Sequence, residues 1–581
     1  MKKDRKDFKR LFILMVGSLF LWGMISPGAL WADAEVDALK EQLRQLTEMV
    51  QTVQKKLADM EEARAEKDEE IKEMDDRLNQ AELHTATDKL TLGVELRSRG
   101  DSIHYGDLLT APDSMMNGFF TDYNAGNPAL GGFNNATAAQ IQALIAMMAQ
   151  NNMVPDPEEN DIDNDIIYTN RFRINMKAKL NNQLAFAGRI AAYKVWGDSA
   201  EVQFNQGSMS DIGLDGTTSS LPSGDGLNLE RAYFNYRNSI GEIPYNFSLG
   251  RRPSTEGPPL EYSQYSLVGG SPLAHIINWQ FDGASLSFGL EEMTGIPGAA
   301  FKLCYGVGFE GGWGNSSSFN NNSQVDDVHM FGFIADLYDD DITSAVLNFA
   351  YAVDVTDGFT GQTVMPFTIS VDNDPLSATY GNYTFERNSG AFVSRLEPVT
   401  NLGDWSAATF LVKHNFMEQF DKDIDVFFSL AWSHTDPDRV SSHPFYGLLG
   451  QGLLSSNGDL QSRDGYSIYT GAVFPMPFDA RLGIEYNWGS KYWFNFTGAE
   501  DSLVDSKLAA RGQVWEAYYI QPVFDDNFFV TLGGRYYDYK YTGSGNPLGA
   551  PVEISDASAM DTLFPVVDKV WNLYLSVNFR M

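Results

Sequence analysis

Alternating basic side chains are the clearest chemical signal in this sequence. Residues 169–180 read TNRFRINMKAKL, so the cationic side chains of Arg171, Arg173, Lys177 and Lys179 all occupy odd positions. Because successive side chains of a β-strand point to opposite faces, these four cations would share one face, opposite an apolar one. A row of cations along a water path attracts anions, so the pattern indicates binding or passage of anions.

The same alternation predicts further basic side chains with apolar neighbours on the opposite face: Arg97, Arg189, Arg231, Arg237, Arg252, Lys302 and Arg535. Three acidic residues share the basic face, namely Glu95, Asp425 and Glu485. Two interpretations stay open at this point. The cations either pair with acids and only stiffen a wall, or they form a ladder that attracts anions.

Residue types that would support other chemistry are sparse. The seven histidines are scattered without the paired spacing of metal ligands, and no Ser–His constellation is recognisable. Cys304 is the single cysteine, which excludes an internal disulfide and a haem-attachment pair of cysteines. We therefore expect no enzymatic activity, no cofactor and no metal site.

The N-terminal residues 1–34 are predicted to be a secretory signal. Basic residues precede the apolar run at 11–24, and small residues follow at 32–34. The run is shorter than the roughly 20 apolar residues that a membrane-spanning helix needs. The mature protein would therefore be exported.

Residues 35–86 are predicted to form a coiled coil, because apolar residues recur in heptads. Arg64 and Lys67 interrupt the seam. A single amphipathic helix on a surface is the alternative. The residues expected to hold protomers together are Leu39, Leu43, Leu46, Val50, Val53, Leu57, Met60, Ile71, Met74 and Leu78.

Beyond residue 87 the sequence predicts strands rather than long helices, apart from an apolar helical pattern at 136–149. That helix would either cap a pore or contact another protomer. Sixteen alternating segments rich in aromatic and β-branched residues lie near 89–98, 167–180, 183–195, 228–238, 244–252, 280–291, 298–310, 327–337, 343–354, 405–416, 423–435, 464–475, 479–490, 511–522, 527–541 and 568–581.

The gaps between these segments alternate between short and long. Short links such as 181–182 and 475–478 are followed by long ones such as 196–227 and 355–404. An outer-membrane barrel has this layout, with short periplasmic turns, long external loops and an even number of strands. The predicted fold is therefore an all-β membrane protein, an antiparallel transmembrane barrel of about sixteen strands over residues 87–581, preceded by the α-helical coiled coil in the periplasm.

The last predicted strand supports a barrel wall in lipid. Trp571, Leu573, Leu575, Val577 and Phe579 share one face, and polar residues occupy most of the other. Outer-membrane barrels commonly finish on such a strand, with an aromatic residue near its end. We expect this face to be the signal that the barrel-assembly machinery reads.

The formal net charge of −35 arises largely outside the predicted wall. Residues 100–166 hold ten acidic side chains and neither Lys nor Arg. The net charge of the chain therefore says little about the lumen, and ordinary solvation of external loops explains the acids better than a calcium site does. We expect the loop after GRRPSTEGPP (250–259) to fold back over the pore mouth, because its prolines stiffen the exit from the strand.

Several longer motifs carry a family resemblance: TNRFRINMKAKL (169–180), AAYKVWGDS (191–199), RAYFNY (231–236), GRRPSTEGPP (250–259), EYNWGSKYW (485–493) and YYIQP (518–522). With them, the chain resembles the proteobacterial outer-membrane porins that are classed under a domain of unknown function and carry an N-terminal coiled coil. More distantly it is similar in plan to trimeric sixteen-stranded porins. The resemblance implies the fold and the outer-membrane location, and a homotrimer of pores in contact with outer-membrane lipid and lipopolysaccharide.

The favoured function is a water-filled channel for passive diffusion of small polar solutes, with a weak preference for anions. Three alternatives stay open. The barrel could anchor the coiled coil as a structural element, or it could be a sheath around a partner such as a cytochrome. A siderophore-type uptake barrel is the third, but that class needs a large plug domain ahead of the first strand.

Overall fold

The computed structural model describes residues 90–581 with gaps at 126–130, 198–212, 215–225, 267–268, 312–324, 359–360, 365–366, 390–392, 397, 445, 450–451, 455–459, 499 and 546–548. The predicted secretory signal (1–34) and coiled coil (35–86) lie outside the described residues, as do all the heptad residues named above. The unit described below is the barrel, Leu90–Met581.

Sixteen strands form one closed antiparallel barrel, which confirms the predicted barrel and its strand number. Each strand pairs with its neighbours in chain order, and the first pairs with the last through Glu95 opposite Arg580. The strands are β1 Leu90–Thr110, β2 Glu158–Lys179, β3 Leu184–Val195, β4 Asn228–Ile240, β5 Ile243–Arg252, β6 Phe281–Gly289, β7 Ala300–Phe309, β8 Val328–Asp339, β9 Thr343–Thr356, β10 Asn401–Asn415, β11 Asp425–Pro437, β12 Arg463–Met476, β13 Ala480–Gly489, β14 Gly512–Phe524, β15 Phe528–Tyr539 and β16 Lys569–Arg580.

The polarity of the wall is the reverse of a soluble sheet. On β16, Trp571 and Leu573 are 54% and 58% exposed on the outer face, while Asn572 and Tyr574 are buried on the lumen face. The predicted alternation of the last strand is thus present. Large apolar residues are also exposed on strands around the barrel, among them Leu249, Leu303 and Leu532.

Short and long connections alternate along the barrel, as the sequence predicted. One end, called the short-turn end below, carries the short connections together with Leu90 and Arg580; the longest of these connections is 290–299. The opposite end, the long-loop end, carries the others, of which 310–327 is the shortest. Because the strands run antiparallel, both ends of the barrel chain lie at the short-turn end.

Two strands extend much further than the sequence indicated. The sequence predicted that the first strand ends near residue 98 and the second begins near residue 167, and both boundaries were wrong. Strand β1 continues to Thr110, and β2 begins at Glu158. The two strands pair out to Thr110 opposite Glu158, with irregular register between Tyr105 and Leu108. These irregularities in register disturb the alternation of polar and apolar residues near the ends of the two strands, and that alternation is the signal from which strands are recognised.

Short helices lie in the connections, at α1 Asp113–Phe119, α2 Ala138–Gln150, α3 Glu261–Gln264, α4 Glu291–Thr294, α5 Met417–Phe420 and α6 Tyr446–Leu449, with 3₁₀ turns at Pro477–Asp479, Lys507–Ala509 and Ile554–Asp556. Among the described residues, no helix has the length and apolar character that crossing a membrane requires. Helix α2 is the predicted apolar helix. It begins at a capping box in which Thr137 and Gln140 exchange hydrogen bonds.

Helix α2 belongs to a small cap built from several long loops. Its Ile141 and Met148 are buried against Phe133, Phe367 and Phe385 in a separate apolar core. The cap also contains a sheet of three short strands, Ala136–Thr137, Phe367–Val371 and Asn382–Arg387. Helix α2 therefore packs against long loops of its own chain.

Candidate functional site

Two long loops enter the lumen of the barrel. Loop A (residues 253–280) joins β5 to β6, and loop B (residues 490–511) joins β13 to β14. The two loops bond to each other, because the amide of Asn278 donates to the carbonyl of Phe496 at 2.7 Å and the amide of Phe496 donates to the carbonyl of Ile276 at 3.1 Å. They therefore form one joined insertion inside the wall.

Loop A runs from the long-loop end towards the short-turn end. The hydroxyl of Tyr265 donates to the Asp526 carboxylate at 2.5 Å, and the Arg580 guanidinium donates to the carbonyl of Tyr265. Both partners lie at the short-turn end. The expectation that this loop folds over the pore mouth was wrong: it descends through the lumen, because polar groups along the wall provide partners that the sequence pattern does not reveal.

The descending part of loop A is folded against itself. The amide of Gly270 donates to the carbonyl of Glu256 at 3.0 Å, and the amide of Ser271 donates to the carbonyl of Pro253 at 3.1 Å. A Cβ atom at Gly270 would lie 2.0 Å from the carbonyl oxygen of Thr255. Only glycine fits this crossing, which fixes the position of Glu256.

The Glu256 carboxylate is the centre of the site. It accepts hydrogen bonds from Arg173 at 2.5 Å, Arg189 at 2.7 Å and Arg231 at 2.8 Å, which stand on three adjacent strands. Burial alone would raise the pKa of this carboxyl, but the three guanidiniums outweigh burial and hold its pKa well below the usual range. Glu256 therefore stays ionised, and it ties loop A to β2, β3 and β4.

The backbone of Glu256 has a conformation that is uncommon for a residue with a side chain. Its φ is +61°, in the left-handed region, and its amide donates to the side-chain oxygen of Asn278 at 2.9 Å. The crossing at Gly270 and the bond to Asn278 hold this conformation in place. Residues kept in such a conformation by their surroundings are concentrated at functional sites.

Asp501 of loop B makes a second, similar contact with the basic wall. Its carboxylate accepts two hydrogen bonds from Arg97, at 2.6 and 3.0 Å, and one from Arg171 at 2.6 Å. Burial would raise its pKa, but the two guanidiniums lower it well below the usual range. Arg171 and Arg173 are two residues apart on β2, so the two loop carboxylates occupy neighbouring places on one face.

A neighbouring part of the wall carries two buried carboxylates, and loop B supplies a cation to it. The ammonium of Lys507 contacts the carboxylates of Glu485 on β13 and Glu516 on β14, the latter at 2.5 Å. Arg535 on β15 pairs with Glu516 at 2.7 Å and with Glu500 of loop B at 2.8 Å. Loop charges thus complement wall charges at two neighbouring clusters, which holds the insertion in one orientation.

His275 of loop A is buried beside the wall as a neutral group. Its two ring nitrogens lie 2.8 Å from the hydroxyl oxygens of Ser429 and Ser467. Burial lowers its pKa to about 3. This part of the insertion therefore does not change its charge between pH 5 and 8.

A cavity of about 490 Å³ remains between the insertion and the basic wall. Arg97, Arg171 and Arg231 line it on the side of the charge cluster, and Thr91 and Met581 line it at the short-turn end. The cavity therefore connects the guanidinium cluster with that end of the barrel. Most of the residues that line it are charged or polar types.

The basic residues predicted for the lumen fall into three groups. Arg97, Arg171, Arg173, Arg189, Arg231 and Arg535 lie together in the lumen and are paired with acids, as in the first of the two interpretations. Lys177, Lys179 and Arg237 lie nearer the short-turn end and are exposed, without an ion pair among the described residues. Arg252 and Lys302 lie on β5 and β7 away from the cluster, where Arg252 donates to Ser248 at 3.1 Å.

Sequence reasoning missed most of the acidic partners, namely Glu230, Glu256, Glu500, Asp501 and Glu516. Of the acids it did predict, Glu95 lies 3.8 Å from Arg173, and Asp425 lies near the short-turn end, where Asn415 donates to it at 2.8 Å. The one available signal was the position of Glu256 inside GRRPSTEGPP, a stretch dense in glycine and proline. Within the described residues, no cluster of His, Cys, Asp and Glu is arranged to hold a metal ion.

Comparisons with known proteins identify a family and several barrels of similar plan. The model of the family described as "Protein of unknown function (DUF3373)" matches residues 161–581. No curated protein matches the chain. Pseudomonas putida OprB at high pH is 9% identical over 85% of this chain and 95% of its own, with a TM-score of 0.38.

Two further solved structures have the same level of similarity. Salmonella typhi OmpF in complex with daunomycin is 10% identical over 86% of this chain and 100% of its own, with a TM-score of 0.37. A mutant of Rh. blastica porin is 11% identical over 85% of this chain and 100% of its own, with a TM-score of 0.32.

Proposed function

We propose that this chain, which belongs to DUF3373, a family of unknown function, forms a water-filled channel for small polar solutes in a bacterial outer membrane. The observation that carries the proposal is the reversed polarity of the closed wall. Apolar side chains such as Leu573 and Leu575 are exposed outside, whereas Arg173 and Glu256 are enclosed within. Only lipid outside and polar contents inside suit such a wall.

The orientation in the membrane follows from the lengths of the connections. Outer-membrane barrels have short turns on the periplasmic side and longer loops outside the cell. The short-turn end would therefore face the periplasm, with the predicted coiled coil, and the cap around α2 would face the exterior. The exposed face of β16 (Trp571 to Phe579) would be read by the barrel-assembly machinery.

The solute path is proposed to pass the cavity beside loop A. Loops A and B narrow the lumen, so the solutes must be small. The same loops argue against a sheath around a partner protein, because a partner inside the barrel would have to displace both of them. The buried arginines are largely compensated by acids, so we assign a weak anion preference mainly to Lys177, Lys179 and Arg237 near the periplasmic mouth.

Removing two exposed lysines from the periplasmic mouth should weaken anion preference. The protein is reconstituted in planar bilayers, where we expect discrete current steps and, across a potassium chloride gradient, a reversal potential that favours chloride. The double variant Lys177→Gln with Lys179→Gln should shift this potential towards cations, because both exposed ammonium groups lie near the short-turn end of the lumen. At 0.1 M salt a charge acts over about 10 Å, so such groups can still bias the entry of ions.

The matched control removes two exposed cations at the long-loop end instead, with Arg439→Gln and Lys540→Gln, and should leave the reversal potential unchanged. A bilayer that shows no current steps with folded protein contradicts the channel. A double variant with the parent's reversal potential contradicts the role of the two lysines, and a parent that prefers potassium contradicts anion preference.

Assembly is proposed to be a homotrimer whose protomers are held in part by the heptads. Deleting residues 36–81 should weaken the oligomer and leave each barrel folded, because the wall of the barrel closes on itself without that segment. Heating in detergent followed by gel electrophoresis measures both properties. A deleted form that resists dissociation as well as the parent does would assign the oligomer to the barrel walls alone.

A further inference from the structure

The cavity beside loop A has the composition of an anion-binding site. Its cationic lining includes Arg97, Arg171, Arg173, Lys177, Arg189 and Arg231. Pockets that bind small molecules enclose about 300–1,000 Å³, and this cavity of about 490 Å³ falls in that range. Its size and charge fit a small anion.

The guanidiniums of the cluster are not fully satisfied by the chain itself. Five of them face four carboxylates, those of Glu95, Glu230, Glu256 and Asp501. The Nε atoms of Arg97 and Arg231 are buried without a hydrogen-bond partner, and these two residues are only 8% and 7% exposed. A buried donor without a partner is costly, so an added acceptor would be stabilised here.

Glu256 shows which acceptor the cluster fits. A planar carboxylate already bridges Arg173, Arg189 and Arg231, and a second carboxylate, that of Asp501, takes a fork-shaped pair of bonds from Arg97. Guanidinium groups match carboxylate geometry in this way. An exchange requires only the side chain of Glu256 to rotate, because the crossing at Gly270 and the bond to Asn278 hold its backbone.

We propose that this cavity binds small carboxylates, whose oxygens exchange with the Glu256 carboxylate on Arg173, Arg189 and Arg231. The proposal rests on the channel function and supplies its substrate class. The solute carboxylate replaces the charge that Glu256 withdraws, so the arginines are never left without an acceptor. The Glu256 side chain then leaves the three arginines only when such a solute is present.

Equilibrium binding to the full-length protein in detergent tests this independently of conduction. Calorimetric titration with succinate should show saturable binding to the parent. Glu256→Gln removes the competing carboxylate and should bind succinate about tenfold more tightly, whereas Arg231→Gln removes a charged donor and should bind about tenfold more weakly. Arg439→Gln, an exposed arginine outside the lumen, is the matched control and should bind as the parent does.

Phosphate and chloride are titrated as alternative anions and should bind more weakly than succinate. The exchange is overturned if Glu256→Gln binds succinate no more tightly than the parent, a comparison that holds even if Arg231→Gln fails to fold. Phosphate binding as tight as succinate binding overturns the carboxylate assignment. A conducting protein without succinate binding overturns this site alone, whereas succinate binding without conduction in bilayers overturns the channel and supports the site.

Discussion

Replacing Lys507 with methionine is expected to destabilise the folded barrel by about 3–5 kcal/mol, the usual result of removing one partner from a buried ion pair. Lys507 is 1% exposed and lies between the carboxylates of Glu485 and Glu516. Methionine has a similar length but no charge. It would leave two carboxylates close together, compensated only by Arg535 on the side of Glu516.

Urea unfolding of protein inserted in lipid vesicles measures this change, with tryptophan fluorescence as the signal. Lys540→Met is the control, because Lys540 is largely exposed and its pair with Glu553 spans 3.4 Å. Exposed pairs contribute about 0–1 kcal/mol, so the control should unfold almost as the parent does. Equal midpoints for the two variants would mean that Lys507 does not lie between the two carboxylates.

The variant Lys507→Met with Glu485→Gln provides a second comparison. It removes the carboxylate that would otherwise lack a cation, so it should recover part of the lost stability. Non-additivity of this kind distinguishes a charge effect from lost packing, because packing losses at two neighbouring positions would add or increase. If the double variant is no more stable than Lys507→Met, the stability was lost because the aliphatic part of the lysine side chain no longer packs there.

Valine in place of Gly270 is expected to raise the single-channel conductance severalfold. A Cβ at this position would lie 2.0 Å from the carbonyl oxygen of Thr255 and 2.7 Å from that of Pro253. Backbone atoms on both sides cannot move apart without opening the crossing in loop A. Once the crossing opens, Glu256 leaves its three arginines and the main obstruction in the lumen is released.

Gly106→Val makes the matched comparison, since a Cβ at Gly106 meets no atom within 4 Å. It stands on β1 in an extended segment that tolerates valine. We expect the parent's conductance from it. Heat-modifiable migration on gels verifies that both variants contain folded barrels. A folded Gly270→Val barrel with unchanged conductance would show that loop A is not the barrier to ion flow.

The two loops also change the meaning of the basic ladder found in the sequence. A ladder of free cations would make a strongly anion-selective pore, but Arg171 and Arg173 contact Asp501 and Glu256. The ladder is therefore an attachment surface for the loops as well as a set of donors for solutes. The preference for anions therefore depends on the exposed lysines and on the solute that displaces Glu256.

Periodicity within the sequence determined the wall of this protein. Side chains alternate strictly along a strand, and lipid tolerates only an apolar face. The apolar face of each strand therefore indicates which side of the wall contacts lipid. The 12 residues 169–180 put Arg171 and Arg173 on one face, and the last strand and the alternating loop lengths were needed to assign that face to the lumen. The alternating loop lengths also predicted an even strand number and a common end for both termini of the barrel. The pattern along the chain is sufficient for the face of each side chain and for the number of strands. Both depend on the alternation within each segment and on the lengths of successive segments.

Only the tertiary structure decided how the lumen is filled. Arg97 meets Asp501 across a separation of 404 residues, and Arg173 meets Glu256 across 83. Glu256 and Asp501 stand on loops, where no repeat indicates the direction of a side chain, and their position depends on contacts such as the crossing at Gly270. The net effect of a charge depends on the partner within a few ångströms. Strand alternation establishes that an arginine faces the lumen, but the three-dimensional path of the loops determines whether it stays free.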